Sequence, residues 1–195
     1  MILNLCLAFW IPYFLLSFYY FIKDDDKTKY SKCLPLVLFN AFIIFPLFIS
    51  LILPFVHLSS KFCFLSSGIQ LLSNLIIFEF LFYLFHKLFH IKFLYKQFHK
   101  IHHQYTKTIG LAGIYAHPLD FIICNLIPGS TGFYLFNNIH VFTVFIWIML
   151  SSSYVVISHS ILNFHTYHHH LLNKNFGTLK IMDFIFKTLK LVILK

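Results

Sequence analysis

The chain has 195 residues, of which 59% are hydrophobic, only 11% are charged and 27 are phenylalanine. Because so few charged residues cannot cover a soluble globule, this composition indicates an integral membrane protein. The net charge of +9 comes from fifteen lysines spread between apolar blocks, which excludes the single basic patch of a nucleic-acid-binding domain, so we expect no nucleic-acid partner.

Long apolar stretches predict an all-α fold with about five transmembrane helices, since about 20 apolar residues cross a hydrocarbon core. The first stretch, residues 1–22, lacks a basic leader and a small-residue cleavage site, which favours a retained helix over a signal peptide. The other spans are predicted at residues 34–56, 62–85, 119–136 and 141–157. We divide the chain into N-terminal spans and linker, 1–74, and a histidine-rich domain, 75–195.

The predicted spans place residues 23–32, 86–118 and 158–195 on one side of the membrane. Fourteen of the fifteen lysines lie there, all except Lys61. Because positive residues concentrate on the cytosolic side, that side is predicted to be cytosolic. Eleven of the thirteen histidines lie on the same side, with only His57 and His140 opposite. We therefore expect a cytosolic, histidine-rich helical cap, with residues 176–195 lying along the membrane interface.

Three histidine clusters fall on this side, with the sequences HKLFH at 86–90, HKIHH at 99–103 and HTYHH at 165–169. Residues at i, i+3 and i+4 share one helix face, so each cluster can direct two or three imidazoles at one point. Imidazole suits iron, zinc, copper and nickel, so the spacing does not choose the metal. The alternative, amphipathic histidines at an interface, is disfavoured because all three clusters lie on one side.

The few acidic residues near these clusters are candidates to support metal-bound imidazoles, which usually donate their second N–H to a carboxylate. Glu79 precedes His86 by two helical turns, inside a span where an unpaired charge is costly. Asp120 follows His117 by three residues, and Asp183 follows the last cluster. For Asp183, a solvent-exposed position on an amphipathic tail is an equally good alternative.

The chain resembles the fatty acid hydroxylase superfamily in two consecutive motifs, E-x-x-FY-x-x-HK-x-x-H at 79–90 and LYK-x-x-HK-x-HH at 94–103. Three later motifs are most similar to its C-4 methylsterol oxidases: YAHPLD at 115–120, FHTYHH at 164–169 and MD-x-x-F-x-T at 182–188. The resemblance implies a multi-pass endoplasmic-reticulum enzyme with two iron ions. It also implies activation of O₂ with electrons from NAD(P)H, through cytochrome b5 or its reductase.

The resemblance also implies which histidines bind metal. They are His86, His90, His99, His102, His103, His159, His165, His168 and His169. His117 matches a characteristic family histidine, as a metal ligand or as part of the pocket. His170 extends the third cluster without matching a family ligand.

The implied function is a di-iron, O₂-dependent monooxygenase that oxidises the C-4 methyl group of a sterol taken from the bilayer. Desaturation of a sterol ring at C-5, or hydroxylation of a sphingolipid or fatty acid, would use the same clusters. A non-catalytic membrane relative is an alternative of another class. A metal transporter is disfavoured because its histidines would line a path across the membrane.

The segment between His159 and His165 is shorter than in members of the superfamily. On a straight helix, six residues turn through about 600°, so the third cluster would point about 120° away from His159. The chain must therefore bend, and Leu162-Asn163 is the predicted place because asparagine tolerates turn conformations. We expect this short connection to give a site that binds metal but is more open to water, and is catalytically weaker than in full-length relatives or inactive.

Overall fold

The fold is built from α-helices, and the computed structural model describes residues 1–161 and 164–190 of the chain. Within these residues, four helical segments are long and apolar enough to cross a membrane, which agrees with the predicted all-α membrane class. They are α1 (Ile2–Lys23), the segment Thr28–Phe55, α4 (Phe64–Phe89) and α8 (Val141–Ser160). The segment Thr28–Phe55 contains α2 (Thr28–Phe39), a π-helical turn (Asn40–Ile44), α3 (Phe45–Ile52) and a 3₁₀ turn (Leu53–Phe55).

The stretch predicted as a span at 119–136 is helical, but it is shorter than these four and is not one of the helices that are long and apolar enough to cross a membrane in the described residues. The short helix α5 (Lys92–Leu94) precedes this stretch, which runs from α6 (Pro118–Asp120) through a π-helical segment (Phe121–Leu126) into α7 (Ile127–Tyr134). At 1.5 Å per residue the stretch covers about 25 Å, compared with about 30 Å of hydrocarbon. It packs closely on α4, since a side chain at Gly132 would collide with Asn74. The count of about five spans thus becomes four long helices and one shorter helical stretch.

The two loops predicted to lie across the membrane from the histidine clusters meet at one end of the bundle. Strand β1 (Leu58–Ser59) pairs in parallel with β2 (Ile139–His140), with Leu58 opposite Ile139. These strands precede α4 and α8, whose other ends carry His86 and His159. The length of the bundle therefore separates His57 and His140 from the three histidine clusters.

The N-terminal helices pack against the histidine-rich part rather than standing apart from it. The Tyr13 hydroxyl donates to the Leu111 carbonyl at 2.6 Å, and the Asn40 side-chain amide donates to the carbonyls of Ile114 and Ala116, both at 2.9 Å. These bonds tie the 3₁₀ segment Gly110–Ile114, which also packs on α8, to the N-terminal helices. The division of the chain at residue 74 stays a prediction.

The C-terminal part folds back over the end of α4. Helix α8 ends at Ser160, Ile161 is extended with φ −112° and ψ 148°, and α9 covers Phe164–Leu171. The chain thus leaves the helix direction as predicted, whereas the proposed turn at Leu162-Asn163 lies outside the described residues. The predicted interfacial stretch from residue 176 has only one short helix in its described part, α10 (Ile181–Ile185).

Candidate metal centre

The structure brings all nine predicted histidine ligands together, in two adjacent groups. Within each group the candidate ligand nitrogens lie within 4.8 Å of one another. The five-histidine group contains His86, His90, His99, His103 and His168. The four-histidine group contains His102, His159, His165 and His169. The rings of His103 and His169 are 4.5 Å apart between centroids, so the groups are neighbours.

The five-histidine group has its Nε2 atoms directed at a common centre. The Nε2–Nε2 distances are 2.9 Å from His90 to His168, 3.1 Å from His99 to His90 and 3.1 Å from His103 to His99. Two ligand nitrogens that each lie about 2.1 Å from one ion, at right angles, are about 3.0 Å apart. The observed spacing therefore fits nitrogens that share a metal ion.

The other ring nitrogen of three members is fixed by a hydrogen bond. His86 Nδ1 donates to the Phe176 carbonyl and His168 Nδ1 to the Lys174 carbonyl, both at 2.7 Å. His99 Nδ1 lies 2.8 Å from an Asp120 carboxylate oxygen. A carbonyl oxygen only accepts, so the proton of His86 and His168 is on Nδ1 and the Nε2 lone pair faces the centre.

The four-histidine group is oriented in a similar way. His159 Nδ1 lies 2.8 Å from the Val155 carbonyl, and its Nε2 lies 3.2 Å from His165 Nε2. His102 Nδ1 lies 3.3 Å from the Tyr115 carbonyl. Within the described part of the chain, both ring nitrogens of His169 are buried without a hydrogen-bond partner. Buried orphan nitrogens are costly, and a metal ion would satisfy the ring nitrogen that faces it.

Burial keeps these imidazoles in the form that binds metal. It lowers the pKa of the His168 imidazole to about 3. It also holds the pKa of His103 and of His169 well below the usual value. Neutral imidazole is the metal-binding form of histidine, so these three side chains are in the form that binds a cation at neutral pH.

Local helix geometry explains why clusters close in sequence meet in space. His86 and His90 lie one turn apart at the end of α4, and His165, His168 and His169 share α9. The middle cluster is not on one regular helix, since His99 ends a π-helical segment (Tyr95–His99) and His102 begins a 3₁₀ turn (His102–Gln104). This change of pitch sends His99 and His103 to one group and His102 to the other. Such π segments are frequent at functional sites.

The acidic residues divide into two kinds. Asp120 contacts His99 as expected, and both side chains are 2% exposed. Glu79 and Asp183 are not seen to contact an imidazole among the described residues, because their hydrogen bonds go to the loop after α9, to Met182 and to Thr188. Glu79 lies two turns from His86, about 10 Å along the helix, which is too far to reach that imidazole.

His117 and His170 lie outside both groups. His117 Nδ1 accepts a hydrogen bond from the Leu119 amide at 3.2 Å, so it caps α6, and its ring packs on Phe98. His170 is exposed at the end of the third cluster. The sequence analysis missed the carbonyls of Lys174 and Phe176, because a backbone group has no residue signature. The one available signal was the turn-forming pair Asn175 and Gly177 that flanks Phe176.

An apolar cavity of about 490 Å³ lies next to the two groups, inside the helical bundle. Its walls include Phe48, Leu75, Phe78, Phe133, Trp147 and Ile148, and His86, His99, His102, His159 and His165 also line it. Leu72 and Leu150 line it as well and are 61% and 60% exposed, so the cavity reaches the outer, apolar surface of the bundle. The volume is within the range of sites for small molecules.

Comparison with known families agrees with this site. The model of the fatty acid hydroxylase family matches residues 71–188, which include every histidine of both groups. The chain belongs to the fatty acid hydroxylase family. No solved structure matches it.

Several curated members of the family are similar to this chain. "Fatty acid hydroxylase domain-containing protein 2" of Homo sapiens is 31% identical over 118 residues, which are 56% of this chain and 35% of that protein. "Fatty acid hydroxylase ahd1" of Mycosarcoma maydis is 29% identical over 186 residues, 86% of this chain and 48% of that protein. "C-4 methylsterol oxidase erg25" of Schizosaccharomyces pombe is 30% identical over 115 residues, 48% of this chain and 37% of that protein. This fatty acid hydroxylase family member thus spans about a third to a half of the length of these relatives.

Proposed function

We propose that the chain is a di-iron membrane oxygenase that oxidises the C-4 methyl group of a sterol. One observation carries this proposal: the two histidine groups lie against an apolar cavity that reaches the lipid-facing surface. A lipid could enter this cavity from the bilayer and present a carbon to the metals without crossing water. The similarity to the C-4 methylsterol oxidase of Schizosaccharomyces pombe supplies the choice of sterol.

The two iron ions would be held by the five-histidine and four-histidine groups. Iron bound there supplies the activation of O₂ and the oxidation of an unactivated C–H bond. The chain supplies neutral, oriented imidazoles through the Nδ1 hydrogen bonds of His86, His99 and His168. The buried setting excludes water from the reacting carbon, which prevents side reactions.

Substrate binding would rest mainly on apolar contact, and several polar side chains also line the cavity wall. Burial of apolar surface contributes about 25 cal/mol per Å², which favours a hydrocarbon ligand, and a rigid sterol loses less conformational entropy on binding than a flexible chain. Asn125 is one of these polar side chains, and no hydrogen bond of its side chain is found among the described residues. It is therefore available to a hydroxyl group of the substrate.

Electrons would come from NAD(P)H through cytochrome b5 or its reductase, on the cytosolic face of the endoplasmic reticulum. Lys87, Lys92, Lys96 and Lys100 surround the first two histidine clusters in the sequence. This positive charge would favour the approach of an acidic electron donor.

Hydroxylation of a fatty acid is the second candidate, because the fatty acid hydroxylase relative from Mycosarcoma maydis matches 86% of this chain. Sterol C-5 desaturation and sphingolipid hydroxylation need the same metals and the same apolar cavity. A non-catalytic relative would keep the helices but would not need an ordered metal centre.

Complementation tests these candidates. The chain is expressed in a yeast strain that lacks its own C-4 methylsterol oxidase, beside a His99→Ala variant as the matched control. We expect growth and loss of accumulated 4-methylsterols with the unmodified chain, and neither with the His99→Ala variant. Persistent 4-methylsterols together with new hydroxylated fatty acids would instead establish the second candidate. If an expressed, metal-loaded chain changes no lipid, the enzymatic proposal fails.

A further inference from the structure

Glu79 is a buried carboxylate in the middle of α4 whose partners all belong to one distant segment. Its Oε2 atom accepts hydrogen bonds from the amides of Thr178 at 2.8 Å and Leu179 at 2.9 Å, and from the Thr178 hydroxyl. Its Oε1 atom accepts from the Met182 amide at 3.4 Å. The residue is 0% exposed. Because a buried charge is costly without such partners, this carboxylate and the segment are held together.

Asp183 binds the same segment from its other side. Its two oxygens accept from the amides of Phe176 at 2.9 Å and Gly177 at 2.6 Å, and from the Thr188 hydroxyl at 2.6 Å. Gly177 lies between the two carboxylates. A Cβ atom there would lie 2.7 Å from Glu79 Oε1 and 3.0 Å from Asp183 Oδ2. Only glycine fits this gap without displacing an acid that is already fixed by other hydrogen bonds.

The loop formed by residues 174–178, which we call the carbonyl loop, also contacts the metal centre. Its Lys174 and Phe176 carbonyls accept from His168 Nδ1 and His86 Nδ1. Asn175, between them, has φ 62° and binds the Lys190 backbone with both ends of its side chain. Asparagine is among the few residues that adopt this left-handed conformation readily. The loop is thus fixed with its carbonyls toward two histidines.

Both of those histidines belong to the five-histidine group. The four-histidine group is oriented by other elements, since His159 pairs with the Val155 carbonyl and His102 with the Tyr115 carbonyl. The carbonyl loop therefore orients histidines of the five-histidine group, whereas other elements orient His159 and His102 of the four-histidine group.

We propose that Glu79 and Asp183 are positioning residues that act through the carbonyl loop on one metal ion, the one held by the five-histidine group. The proposal rests on the metal centre proposed above. Without the two carboxylates the loop amides lose their acceptors, the carbonyls shift, and His86 and His168 lose their fixed tautomer and ring orientation. Loss of such outer contacts typically weakens metal affinity about 10- to 100-fold.

The experiment is a Co²⁺ titration of the full chain, purified in detergent and stripped of metal, with metal counted by mass spectrometry. The variants are Glu79→Ala, Glu79→Gln, Asp183→Ala and Gly177→Ala, and Asp26→Ala in the exposed linker is the control. Gly177→Ala displaces the loop while both acids remain. Glu79→Gln keeps an oxygen acceptor for the bonds at Oε2. Circular dichroism reports the helical content of each variant.

We expect two Co²⁺ ions in the unmodified chain and in Asp26→Ala. In Glu79→Ala, Asp183→Ala and Gly177→Ala, one ion should bind as before and the other 10- to 100-fold more weakly, with Glu79→Gln closer to the unmodified chain. Two unchanged sites in Gly177→Ala and Glu79→Ala, or equal weakening of both sites in helical protein, would overturn the proposal. Absence of metal from the unmodified chain would instead refute the metal centre itself. If an alanine variant of an acid fails to fold, Gly177→Ala, which keeps both acids, still decides the outcome.

Discussion

Asp120 lies 2.8 Å from Nδ1 of His99, and the two side chains shield each other from solvent. The pair joins the start of the short fourth helical stretch to the middle histidine cluster. Because His99 Nε2 lies 3.1 Å from both His90 and His103, its orientation affects three ligand nitrogens at once.

Replacing Asp120 with alanine should weaken the metal of the five-histidine group by about 10- to 100-fold, because the His99 ring loses its acceptor. Asp120→Asn keeps an acceptor oxygen and should lose less affinity. Metal titration of both variants in detergent is the measurement. Equal metal affinity in Asp120→Ala and the unmodified chain would show that His99 needs no support from this carboxylate.

Metal content should depend on all three histidine clusters. Purified protein is expected to contain close to two metals per chain, and His102→Ala should lose much of the metal in the four-histidine group, since a missing ligand weakens both affinity and local folding. The measurement is elemental analysis, with His170→Ala as a control because that residue is exposed. Unchanged metal in a triple variant of His86, His102 and His168 would contradict a shared centre.

The histidine site was predictable because its residues are chemically distinctive and repeat with helical spacing. The nine candidate ligands meet in the structure even though the middle cluster leaves the regular α-helix. The role of Glu79 was not predictable from the helix stripe, since spacing gives a face but not the loop that packs on it. The carbonyls of Lys174 and Phe176 had no residue pattern at all.

The membrane helices were also predictable only in part. Their apolar length predicted four of them closely, whereas the fourth predicted span is a shorter helical stretch. It begins at Pro118 and its last helical residue is Tyr134, with Leu135 as the cap. Hydropathy alone does not report where a helix packs against a neighbour, as α7 does on α4.

The orientation of the bundle is a further prediction, motivated by the lysine distribution. Residues 57–61 and 137–140 meet at one end of the structure, opposite the histidine groups. A glycosylation acceptor introduced at 57–61 should therefore be modified in microsomes, and one at 104–108 should not. A second acceptor at 137–138 is the matched control, because it should behave like the first. The reverse pattern would place the metal centre in the lumen.

The short connection after α8 gives the last prediction. We expected it to leave the site more open, but His159, His165 and His169 are at most 5% exposed, so these side chains are closed to water in the structure. The extended Ile161 lets the chain leave the helix, and His165 Nε2 comes within 3.2 Å of His159 Nε2. The length is therefore sufficient for the four-histidine group.

Four flexible Gly/Ser residues inserted after Ser160 should weaken metal binding there only about two- to threefold, because each doubling of a loop costs about 0.6 kcal/mol. Metal titration measures this change, and yeast complementation with and without the insert shows whether it affects lipid oxidation. Metal binding or rescue that requires the insert would show that the natural connection is too short after all.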